Sequence, residues 1–235
     1  FGTSQNGAFA VLCGFLCGDP MCAKVTADLI RSGRITKEEG GYLLSFCNNT
    51  SPVFIMNFIV WKTLGREDLL FPTLAILISV PILMSFLFRR QYLRGERRFS
   101  SPKGFPGTVH DRLNFSVFDR CMMNSFEGIV KVGGYIIFFS ILIALLNRPG
   151  SNPVLTLILP SLEITNGILM IRQTFPLPAD SYPLILGLTA FGGFCSLAQT
   201  QCMIEGTNLS VSFYFIQKLA AAGAASLLAY LYMIF

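Results

Sequence analysis

Charge is scarce in this chain. Asp, Glu, Lys and Arg make up 13% of its 235 residues, against about 25% in an ordinary soluble domain. With 52% hydrophobic residues and a mean hydropathy of +0.58, the bilayer is the solvent that suits it. Histidine occurs once, as His110, and the seven cysteines, Cys13, Cys17, Cys22, Cys47, Cys121, Cys195 and Cys202, contain no C-x-x-C pair. No metal site and no cofactor are therefore expected. An odd cysteine count without framework spacing reads as free thiols acting as small hydrophobes. Neither a phosphate-cradling glycine loop nor a nucleophile, base and orienter set is present, so no enzyme is expected. The even, weak alternation of an outer-membrane barrel is missing as well.

Long apolar runs are what the chain does have. Stretches 43–61, 69–88, 132–146, 154–171 and 211–235 approach the ~20 residues needed to cross a ~30 Å hydrocarbon core. The expected fold class is all-α, a polytopic membrane helical bundle. The chain starts at Phe1 and runs directly into a hairpin, which reads as a piece of a longer protein with its first helices missing and any targeting signal out of view.

Net charge is +5, and its source is local. Arg89, Arg90, Arg94, Arg97, Arg98, Lys103 and Arg112, set against Glu96 and Asp111, supply all of it. By the positive-inside rule this loop faces the cytoplasm; contact with anionic lipid is the sharper alternative. Nucleic acid is not an expected partner. Residues 114–131 carry apolar and polar groups on separate helical faces and read as a helix lying in the membrane interface, or else as a plain extension of the span that follows.

Four interruptions break the apolar runs. One hairpin, 9–30, turns at Cys17-Gly18-Asp19-Pro20, and a second, 183–204, at Gly192-Gly193 and Gln199. The first precedes a span broken at Cys47-Asn48-Asn49-Thr50-Ser51-Pro52, and the second follows a span broken at residues 160–167. The hairpin limbs are too short to span and read as re-entrant. Unpaired backbone amides in hydrocarbon cost several kcal/mol each, so breaks at membrane depth persist where they line a cavity or are buried in protein. Breaks repeated in two halves of one chain point to a transporter-type site. The expected division is residues 1–90 as a first repeat, 91–113 as a basic cytoplasmic loop and 114–235 as a second repeat. Four crossings are read between the two hairpins, whereas inverted repeats need an odd number, so the sequence leaves open whether the repeats are inverted.

The candidate solute-binding residues are Asn48, Asn49, Thr50, Ser51, Glu163, Thr165, Asn166, Ser196 and Gln199. At the hairpin tips they are joined by Gly18, Asp19, Pro20, Lys24, Gly192 and Gly193. Pro52 frees carbonyls that suit a cation or the polar edge of a solute, or else marks a kink satisfied by its neighbours. Glu163 is an ionisable group in an apolar span, either functional or paired with Lys24. Asp19 is either a tip residue or a cap for the next helix. Gly192-Gly193 allows close backbone approach beside the hydrogen-bonding Ser196 and Gln199. Half-helix N-termini at both tips would offer free amides to an anion. Thr36 with Glu39 reads as a capping box opening the helix after the first hairpin.

The segments GFLCGDPMCAKVTADLIRSGRITKEEG, LLSFCNNTSPVFI, LEITNG and FGGFCSLAQ resemble, in order and spacing, the YlbJ-like sporulation integral membrane proteins (SpoVV), which carry Gate domains of the nucleoside-recognition superfamily. The resemblance covers nearly the whole chain. It implies a transporter in an endospore-former's cell membrane, the outer forespore membrane, that moves dipicolinic acid toward the forespore. Its partners would be that small anion, the lipid bilayer and a coupling ion, H+ or Na+. By motif position it carries over Gly18, Pro20, Lys24, Asn48, Asn49, Ser51, Pro52, Glu163, Thr165, Gly167, Gly193 and Gln199. The chain departs from the family pattern at Asp19, where an aromatic is commoner, and at Leu197-Ala198, where a His often precedes the Gln. A nucleoside or other solute, or a non-transporting scaffold in spore-envelope assembly, are the alternatives.

Overall fold

The structure, a computed structural model, describes residues 2–93, 115–147 and 158–235, and within them the protein is all-helical. Most of the basic loop and the first part of the expected span 154–171 lie outside the described residues. Five helical lengths are long and apolar enough to cross a membrane, Lys37–Leu64, Glu67–Tyr92, Phe115–Leu146, Pro178–Met203 and Val211–Ile234.

The first half opens with α1 (Gln5–Cys17) and α2 (Met21–Arg31), packed side by side. At 1.5 Å per residue they reach only about 20 and 17 Å, short of a bilayer core. Gly14 lets them close up, since a Cβ there would come within 2.9 Å of Cys22 and 2.3 Å of the Cys47 carbonyl. Next, α3 (Lys37–Cys47) unwinds at residues 48–51 and resumes as α4 (Pro52–Phe54), which continues as a π-helix over Ile55–Leu64. Thr36 caps α3 by accepting from Glu39 N at 3.2 Å. The capping box is only half formed, because the buried Glu39 carboxylate takes the Ser4 amide at 2.6 Å and ties down the start of α1. A short 3-10 turn, Glu67–Leu69, leads into α5 (Leu70–Leu93).

The connecting helix α6 (Phe115–Leu146) is one rod of 32 residues. The in-plane helix expected at 114–131 is therefore continuous with the span. No proline separates them, Gly133 and Gly134 sit in open space, and a Glu127–Lys131 pair at 2.6 Å runs along the axis just before the junction.

In the second half a 3-10 turn (Leu159–Ser161) meets α7 (Ile164–Thr174), followed by α8 (Pro178–Phe191), α9 (Gly193–Met203) and α10 (Val211–Ile234). This corrects the reading of 183–204 as a hairpin. Gly192, at φ 85°, turns α9 away from α8, and the two do not fold back along each other; together they make one broken span. Two adjacent glycines mimic a hairpin tip in sequence, yet here they only bend a crossing helix.

The halves correspond element by element. The broken span α3/α4 matches α8/α9, and α5 matches α10, each 24 residues long. Helix α7 packs on the π-helix as α2 packs on α9. Among the described residues, three apolar spans separate the α1/α2 pair from the turn at residues 159–163, where four crossings are expected from sequence between the pair and 183–204. An odd number gives the two halves opposite orientations in a bilayer.

Main-chain bonds stitch each half internally at its break. Asp19 N donates to the Asn49 carbonyl at 2.8 Å, and Cys195 N donates to the Leu162 carbonyl at 2.9 Å. The two breaks are thereby brought to the middle of the bundle. The main core cluster, with Ile59, Tyr182, Ile185 and Ala225 fully buried, packs the π-helix, α5, α7, α8 and α10 around them.

Candidate functional site

The interruptions surround one cavity of about 190 Å³. Gly18 and Asp19 come from the first tip, Thr50 and Ser51 from the first broken span, Glu163 and Thr165 from the start of α7, and Gly192, Ser196 and Gln199 from the second break. Val132 and Ile136 of α6 close it on a further side. The remaining sequence candidates lie elsewhere.

Glu163 is 1% exposed and turned back on its own helix. Its extended backbone makes it the N-cap of α7, and the carboxylate accepts from Thr165 N and Asn166 N, both at 2.9 Å. The Thr165 hydroxyl and Asn166 Nδ2, the latter at 2.7 Å, complete four donors. A carboxylate given four donors in this way offsets the positive end of the helix dipole and has its hydrogen bonds met without a lysine partner. The pairing with Lys24 is not formed, because Lys24 Nζ donates to the Asn124 carbonyl at 2.5 Å. Asn166 also donates to Ser140 Oγ at 3.0 Å and so ties α7 to α6 rather than lining the cavity.

The two adjacent asparagines part company. Asn48 is 1% exposed and acts as a hub. Its Oδ1 accepts from Ala23 N at 3.3 Å, and its Nδ2 donates to Thr200 Oγ1 at 3.0 Å and to Tyr214 O–H at 2.8 Å. Lys218 Nζ donates to its carbonyl at 2.8 Å. Asn49 Nδ2 reaches only the Phe46 carbonyl, at 2.5 Å, and faces a different recess. Neither side chain lines the cavity. Thr50 does, while donating across the halves to the Thr189 carbonyl at 3.2 Å. Ser51 caps α4 by accepting from Phe54 N at 3.3 Å. Gln199 donates to the Val132 carbonyl at 3.4 Å.

Asp19 does not cap α2, whose N-cap, Pro20, offers no side-chain bond. Its carboxylate points the other way, accepting from Ser196 Oγ at 3.2 Å. Gly18 is held against Ser51, and Gly193 lies 3.0 Å, measured from a built Cβ, from the Ser161 carbonyl. Both therefore serve as close-contact points between tip and break. Of the half-helix amides expected at the two tips, Ala23 N of α2 goes to Asn48 Oδ1 and Cys195 N of α9 to the Leu162 carbonyl, while Glu163 takes two amides of α7 and Ser51 one of α4.

Lys218, Tyr214 and Thr200 are the polar residues that sequence reading missed. Lys218 is 3% exposed in the middle of an apolar span. The signal that marked Glu163, an ionisable group in a hydrophobic run, was present for Lys218 too.

The chain is 25% identical, over 91% of its length, to the sporulation integral membrane protein YlbJ of Bacillus subtilis (strain 168). It spans about 60% of that relative's length. No family model matches the chain, and no solved structure matches it. The similarity to an integral membrane protein and the five apolar spans agree that this is an integral membrane protein.

Proposed function

We propose that the protein is a sporulation membrane transporter that carries a small organic anion, dipicolinate, across the outer forespore membrane, and that it is a carrier rather than an enzyme. The observation that supports this reading is the convergence of four chain interruptions, two from each half, on one cavity. Breaks that served packing alone would have no reason to meet around a void. Thr50, Ser51, Thr165, Ser196 and Gln199 would orient the solute, with Asp19 and Glu163 setting the charge of the site. Similarity to a protein whose name places it in sporulation supports the setting, and the Gate-type repeats are part of the same reading.

One observation favours a second substrate class. Among the described residues, the lining includes two carboxylates and no lysine or arginine, which suits a neutral, nucleoside-like solute at least as well as a bare anion. The test is uptake of labelled dipicolinate into proteoliposomes containing the purified chain, with nucleosides as competitors. Saturable uptake unaffected by nucleosides is expected. No uptake of either solute above protein-free liposomes would overturn the transporter reading and leave a scaffold.

A further inference from the structure

Among the polar groups of the cavity, Asp19 is the one left incomplete. Its N–H is engaged by Asn49 and its Oδ2 by Ser196, but Oδ1 is shut off from solvent without a hydrogen-bond partner. Glu163, the other carboxylate, has both oxygens filled. The positive charge that Asp19 feels is Lys218 of α10, held by the Asn48 carbonyl and lying 6.0 Å above the Tyr214 ring. The direct ion pairs among the described residues are elsewhere, so the two charges are near but not joined. The titratable groups turned toward this spot are Lys218 and Tyr214 from α10, Cys195 from α9, Glu163 at the start of α7, Cys17 from α1 and Cys22 from α2.

Charge balance then limits what the cavity can do. When the cavity is empty, an ionised Asp19 would offset the charge of Lys218. An arriving carboxylate meets two carboxyl side chains and no lysine or arginine in the described lining, so repulsion between like charges opposes its entry. The clash disappears if Asp19 takes a proton on Oδ1, because the solute then replaces it as the counter-charge of Lys218.

We propose that Asp19 Oδ1 binds one proton together with each solute anion, so that the carrier is proton-coupled; this rests on the transporter reading above. The proton comes from water on the side to which the cavity is open, forms the neutral carboxylic acid while solute is bound, and returns to water as the solute leaves on the other side. Sodium at the same oxygen would lie within the field of Lys218.

The first test reads the proton itself. Wild-type, Asp19→Asn and Glu163→Gln proteins, each checked for monodispersity, are reconstituted in liposomes and titrated by infrared difference spectroscopy over about pH 4–8. A protonated-carboxyl C=O band is expected in wild type, retained in Glu163→Gln and lost in Asp19→Asn. The same band persisting in Asp19→Asn would overturn the proposal. The second test uses labelled dipicolinate. With the membrane potential clamped at zero, one coupled proton lets a gradient of one pH unit hold about a tenfold solute ratio, and Asp19→Asn should build no solute ratio from the pH gradient. A wild-type ratio set by a sodium gradient and indifferent to pH would also overturn it. If the Asp19 band is present but wild type moves no dipicolinate, the proton site is upheld and the transporter reading fails.

Discussion

Replacing Asn48 with alanine should destabilise the protein far more than replacing Asn49, although sequence gives the two the same chemistry. The Asn48 side chain holds three hydrogen bonds, to Ala23 N of α2, Thr200 of α9 and Tyr214 of α10, and all are buried. At about 1 kcal/mol net per bond, their loss amounts to about 3 kcal/mol, with a backbone amide among the groups left without a partner. For a chain of this size each kcal/mol moves the melting temperature by about 2–4 °C, so Asn48→Ala should melt roughly 6–12 °C below wild type. Asn49→Ala removes one local bond to the Phe46 carbonyl, worth about 1 kcal/mol and roughly 2–4 °C. Tyr214→Phe removes a single arm of the hub and should fall near the Asn49 value. The assay is thermal unfolding in detergent, followed by intrinsic fluorescence, at fixed lipid and pH. Equal shifts for Asn48→Ala and Asn49→Ala, or an Asn48→Ala shift under about 2 °C, would refute the hub.

Gly167→Ala should fail to yield a monodisperse protein, because its Cβ would lie 2.0 Å from the Pro160 carbonyl oxygen and 2.7 Å from Leu188, where backbone cannot yield; normal expression and melting would contradict the packing of the turn on α7. An inverted arrangement would place Arg66, between two spans of the first half, and Glu205, between two spans of the second, on opposite sides of the membrane. Cysteines introduced at these positions, in a chain otherwise free of reactive thiols, should be labelled by an impermeant reagent from opposite faces. Labelling of both from one face would remove the inversion.

How far the sequence reveals this molecule depends on how each signal is written. Gly18-Asp19-Pro20 and Asn48 to Pro52 mark breaks because glycine, proline and small polar residues clustered within an apolar run disfavour a continuous helix. The second half deceived for the same reason: Gly192-Gly193 is a louder punctuation than Pro160-Ser161, yet the fold bends at the glycines and packs a turn at the proline. Separating Asn48 from Asn49 was beyond sequence, since unwound backbone at this break has no period from which to read a direction. Glu163 was legible as important but not as a cap, because its four donors come from residues 165 and 166 only once a helix starts at 164. Asp19 stood out in sequence as a tip residue beside Pro20, whereas its contact with Ser196 could be read only from the fold.

The seam between the halves has a consequence for motion. Asn48 with Thr200 and Tyr214, Thr50 with the Thr189 carbonyl, Thr73 with Tyr182, Ser196 with Asp19 and Gln217 with Tyr92 join one half to the other, and each of these joins uses at least one side chain. The main-chain stitches at Asp19 and Cys195 stay within a half. These polar fastenings can exchange without unfolding either half, although they lie beside an apolar core that the two halves share. Each fastening is worth about 0.5–1.5 kcal/mol and is replaceable by water or by a bound solute. In the carrier proposed above, rocking of one half on the other would have to exchange these clasps and also slide the apolar contacts that the π-helix and α5 make with α7, α8 and α10.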